Sequence, residues 1–126
     1  MIENFRRFEV GPDPFGRHWQ VEFRWQQNGI TIRHADTVDV KFELRQDGEV
    51  SEKVIALRHP DLLELSRTAN RPLTDAWVLK LGALHIRHMI ESDEDMDKTI
   101  VSPSPASLAQ HNAHLEEWRS EQAVRR

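Results

Sequence analysis

The chain has 126 residues, of which 38% are hydrophobic and 30% charged, with a formal net charge of -4 and no cysteine. That length suits one domain with a modest core. The acidic balance argues against a general nucleic-acid binder, which needs a basic face. The lack of cysteine excludes disulfides, thiolate nucleophiles and zinc-thiolate sites. No apolar run reaches bilayer length, and no apolar segment follows the opening Met-Ile-Glu-Asn-Phe-Arg-Arg, so the expected setting is cytoplasmic without a membrane partner.

In chain order, Phe8 and Val10 suit a short edge strand, and Gly11-Pro-Asp-Pro-Phe-Gly16 reads as a loop. Its glycine spacing imitates a phosphate loop. The imitation fails because prolines offer no N–H, and Arg17 and His18 stand where lysine and Ser/Thr are required. From His18 to Gln26 the residues alternate, with Trp19, Val21, Phe23 and Trp25 on the face expected to be buried. Asn28-Gly29 predicts a two-residue type I′ turn, which sets Trp25 opposite Ile32 and Phe23 opposite His34. The even positions from Ile30 to Leu44 keep one parity, so the expectation is one long strand bent near Asp36, with two strands joined around His34–Thr37 as the alternative.

Asp47-Gly48 predicts a second hairpin, with Leu44 opposite Ser51, Phe42 opposite Lys53, Val40 opposite Ile55 and Val38 opposite Leu57. Residues 49–58 are then expected as an edge strand carrying Lys53 as an edge charge. Pro60 and Asp61 suit the start of a short helix to about Asn70.

The most apolar stretch, 73–91, predicts the central helix, with Thr74 as its N-cap. Val78, Leu79, Ala83, Ile86, Met89 and Ile90 form one apolar stripe, and Trp77, Leu81, Leu84 and His88 a second. Gly82 inside this helix suggests close packing on the sheet. Two stripes call for two neighbours: the sheet and either the C-terminal segment or a second copy. Asp93-x-Asp95-x-Asp97 imitates the start of a calcium loop, but Lys98 and Ser104 occupy the positions where glycine and glutamate belong. Ser104-Pro105 starts a tail helix in which Leu108, Leu115 and Trp118 are the main apolar groups.

These elements make an α+β fold: a three- or four-stranded antiparallel meander packed on two helices, then a linker and a C-terminal tail helix. The organisation reads as a domain over 1–91, an acidic Ser/Pro linker over 92–104 and the tail over 105–126. The expected interface joins Trp77, Leu81 and Leu84 to Leu108, Leu115 and Trp118, within one chain or by exchange in a homodimer.

Motifs for chemistry are few. Among the seven histidines, His85 with His88 and His111 with His114 have helical i, i+3 spacing suited to a metal, but each pair lacks a third ligand nearby. Neither a zinc-protease His-Glu-x-x-His nor a Gly-x-Ser-x-Gly elbow occurs. Continuing the second hairpin places Asp36 opposite His59, with His34 on the same face beside the first helix N-terminus. That cluster suits a hydrogen-bonded pair, an anion or a metal. The sequence therefore reads as a non-enzymatic interaction or assembly module, with partners in a homodimer or another protein, no cofactor and no metal. The rival is a small-molecule, anion or metal-binding protein, or an enzyme, using His34, Asp36 and His59.

Overall fold

The computed structural model describes residues 2–29 and 36–124. A mixed sheet has strands β1 (Arg7–Val10), β2 (Trp19–Gly29), β3 (Thr37–Gln46), β4 (Glu49–Arg58) and β5 (Ile100–Val101) in sequence order. The helices are α1 (His59–Ala69), α2 (Asp75–Ser92) and α3 (Pro105–Val124). The class is α+β and the sheet mostly antiparallel; β4 and β5 alone are paired parallel.

The β3–β4 hairpin has the register that its turn chemistry dictates, with Phe42 opposite Lys53, Val40 opposite Ile55 and Val38 opposite Leu57. Asp47 and Gly48 have φ of 51° and 82°, the positive values a type I′ turn requires. Val40, Phe42, Leu44, Ile55 and Leu57 are fully buried on the face covered by the helices.

The first hairpin corrects the sequence reading. Asn28 and Gly29 do not form the turn; they remain in β2 and pair with Val38 and Thr37. Gly29 pairs with Thr37, and in place of the expected Trp25–Ile32 and Phe23–His34 pairs stand Trp25–Lys41 and Phe23–Phe42; the first part of the expected 30–44 strand, residues 30–35, lies outside the described residues. Ile32 and His34 lie outside the described residues. The physical reason is what each register brings together. The observed one joins Val21 to Leu44 and Phe23 to Phe42, whose rings meet edge-on at 6.2 Å. A turn at Asn28-Gly29 would instead have set His34 against Phe23.

Register shifts between Phe23 and Trp25, leaving Arg24 as the extra residue of a β-bulge. Val21 is buried before the bulge, but Trp25 points outward and is 37% exposed, with Lys41 Nζ 5.6 Å from its ring centre. The expectation that Trp25 belongs to the core is thereby overturned. Trp19 is half-buried, its indole N–H donating to Asp13 Oδ2 at 2.9 Å. The same carboxylate accepts from the backbone N–H groups of Phe15 and Arg17. The loop that imitates a phosphate cradle thus holds its own anion.

Residues 49–58 are not an edge strand, because β5 pairs with Val54 and Ile55. Lys53 is not an edge charge either. It lies on the helix-covered face, 5% exposed, and its ammonium donates to the carbonyls of Met96 and Lys98. Those bonds fasten the acidic stretch after α2 to the sheet. Burial lowers the Lys53 pKa, and Asp97 and Asp95 oppose that shift.

Both apolar stripes of α2 are covered except at His88, which is half-exposed. Thr74 caps it, accepting from the N–H of Trp77 at 3.2 Å. Helix α3 packs on α2 of the same chain, where Leu108 and Leu115 join the core with Trp77, Leu81 and Leu84. The Trp77 indole donates to Asn112 Oδ1 at 3.0 Å. The ring of Trp118 stands edge-on to Phe5, with centroids 6.4 Å apart. No helix among the described residues is long and apolar enough to cross a membrane.

Candidate functional site, a cleft beside the open edge of β2

The bulge decides where the sheet fails to fill. Beyond Arg24 it puts Gln26 and Asn28 opposite Val40 and Val38, on the face where α2 begins. Amide side chains therefore stand where the alternation would otherwise supply hydrophobes. The result is a cleft of about 870 Å³ between β2 and the first turns of α2. Phe5, Phe23, Val38 and Leu79 give it apolar surface. Gln26, Gln27 and Asn28 line it along β2, and Asp75, Ala76 and Lys80 along α2. Glu3, Asn4 and Arg6 close it from the N-terminal segment.

β1 is paired with β2 only from Trp19 to Glu22. The N–H of Phe23 still donates to the Arg6 carbonyl, at 2.7 Å. Past that bond no described strand lies on the outer side of β2, so Arg24–Asn28 form an open edge, of which Trp25–Asn28 line the cleft. Such an edge presents unpaired backbone donors and acceptors.

Aromatic rings in the walls are held by cations. The Arg6 guanidinium lies 5.3 Å from the centre of Phe23, and Lys80 Nζ 5.6 Å from that of Phe5. Glu3 and Asp75 supply opposite charge, so the cleft carries no net sign from its ionised residues. Gln26 donates from Nε2 to the Asp75 carbonyl at 3.2 Å, a link from β2 to the start of α2.

Of the cluster expected from sequence, Asp36 and His59 lie at the same end of the sheet, and His34 lies outside the described residues. His59 donates its backbone N–H to the Asp36 carbonyl at 2.8 Å, so the hairpin register runs one pair beyond Thr37–Arg58. Asp36 is exposed and His59 half-buried, and neither lines the cleft. The α1 N-terminus has the Asp61 carboxylate of its own first turn, 3.9 Å from Arg58. Of the expected interface residues, all but Trp118 are buried in the chain's own core. Sequence reasoning missed the cleft because the bulge falls at an arginine, with no glycine to mark it. The one available signal was the run Gln26-Gln27-Asn28, too polar for the strand it ends.

Comparison with protein-family models, with curated proteins and with solved structures finds no match.

Proposed function

We propose that this chain is a non-enzymatic interaction module, with a cytosolic setting, that captures an extended peptide segment of a partner protein by strand addition to β2. The segment pairs with the backbone of Arg24–Asn28 and lies in the cleft between that edge and α2. The carrying observation is the coincidence of an unpaired strand edge with the approximately 870 Å³ cleft. In this mode main-chain hydrogen bonds supply affinity, and alternate side chains entering pockets supply selectivity. An aliphatic side chain fits between Phe5, Phe23 and Leu79. Because the ionised lining balances, salt alters binding little.

Selection of displayed random peptides on the full chain tests this reading. Ala76 is exposed and lines the cleft, so Ala76→Arg fills it without touching the core. Selected peptides should bind wild type and lose at least about tenfold in affinity, roughly 1.4 kcal/mol, on the variant. Enrichment of no peptide, or equal binding to both proteins, refutes the reading. Light scattering beside it addresses the homodimer: a dimer lost on removing residues 105–126 would assign the α2–α3 contacts to exchange between copies.

The rival site at His34, Asp36 and His59 draws support from the continued register alone. Calorimetric titration of zinc, phosphate and sulfate into wild type and His59→Ala tests it, and binding lost in the variant would favour it.

A further inference from the structure

Helices α2 and α3 bring together histidines that the sequence spaces as separate pairs. His85 Nδ1 lies 3.0 Å from His111 Nε2, and each residue is 5% exposed. His88 follows His85 by nearly one turn on the same side of α2. Its ring centre is 5.9 Å from that of His85 and 6.1 Å from that of His111, while His85 and His111 are 5.2 Å apart. The His88 Nε2 meets Glu94 Oε2 at 3.0 Å, and the His88 side chain is 40% exposed.

Metal geometry sets the standard for comparison. Tetrahedral coordination with Zn–N bonds of about 2.0–2.1 Å separates two ligand nitrogens by about 3.3 Å and their ring centres by roughly 5 Å. The His85–His111 pair comes near these separations, its facing nitrogens 3.0 Å and its ring centres 5.2 Å apart. As the side chains stand, no three His, Asp or Glu groups among the described residues converge on one point. His88 is engaged with Glu94 instead. His88 is half-exposed, and ligation requires it to leave Glu94 and turn toward the pair.

Ligation needs neutral imidazoles with free lone pairs. One proton now bridges the two facing nitrogens. On metal binding it transfers, through solvent, to the outer nitrogen of the ring that carried it, and the net protonation is unchanged.

We propose that His85, His88 and His111 form a site for a divalent first-row transition metal with a preference for imidazole ligands, its fourth position open to solvent. The metal bridges α2 and α3 and so clamps the tail helix in place.

The probes are zinc and cobalt, added to the full chain after chelator treatment. Calorimetry should show one saturable zinc site, and cobalt should give the visible spectrum of tetrahedral coordination. Zinc should raise the thermal midpoint. His88→Ala, at a half-exposed position, should keep the fold and weaken zinc by more than ~100-fold, beyond the 10–100-fold that losing an outer partner costs. His114→Ala, on the same tail but outside the cluster, should bind as wild type. Absence of saturable binding to wild type overturns the site, as does equal weakening by His88→Ala and His114→Ala.

Discussion

The two halves of β2 lie in one strand but in different surroundings. From Gln20 to Phe23 the strand has a neighbour on each side and sends Val21 and Phe23 toward the helices. From Trp25 to Gly29 its one described neighbour is β3; it sends Trp25 outward and turns Gln26 and Asn28 toward α2. One extra residue, Arg24, separates a half that builds core from a half that borders a cleft. Apolar filling stabilises the first, and its omission leaves room beside the second for an occupant.

The sharpest way to probe this contrast is to remove a ring from each face of the β2–β3 pair. Phe42 is fully buried against Phe23 and the helices, so Phe42→Ala should cost about 3–5 kcal/mol in denaturant unfolding. Trp25 is 37% exposed and covered by Lys41, so Trp25→Ala should cost no more than about 1 kcal/mol. Equal losses would contradict the face swap at the bulge.

A second polar stretch faces inward on the α2–α3 seam, and there pH is the probe. His85 and His111 face each other and His88; the charges of Glu94 and Asp95 also act on His85, and those of His114 and Arg87 on His111. Both histidines are depressed from an ordinary 6.5, to about 4 and about 3, with burial as the largest cause. The unfolded chain then takes up protons before the folded one does. Stability should be full above about pH 6.5 and fall steadily toward pH 4 and 3. Measured with chelator present, an Asn at both positions should flatten that decline. An unchanged slope would dissociate the seam from it.

The smallest expected effect is at Gly82. A Cβ there would lie 3.5 Å from the Phe42 ring and from Val40, an ordinary contact. Gly82→Ala should therefore stabilise by up to about 1 kcal/mol through helix propensity. Destabilisation would mean that the sheet and α2 are closer than this geometry gives.

Local chemistry was legible where one interaction decides the outcome. Asp47-Gly48 set its own register, Thr74 and Ser104 capped their helices, and the stripes of α2 named the core. Asn28-Gly29 carries an equally good turn signal, yet pairing of Phe23 with Phe42 and Val21 with Leu44 outweighs it. Turn chemistry is worth little against burial of that size. Lys53 read as an edge charge because nothing nearby in sequence announces the carbonyls of Met96 and Lys98. The His85–His111 contact was visible as two half-motifs, and only helix packing joined them.

Amide hydrogen exchange along β2 in the free, full-length chain tests the central claim most directly. Amides of Val21 and Phe23 should be protected, whereas the amides of Arg24–Asn28 that point away from β3 should exchange at least ~100-fold faster, as an open edge requires. A selected peptide should then slow that second group alone. Uniform protection from Val21 to Asn28 in the free protein would mean that the edge is already covered, and the strand-addition account would fail.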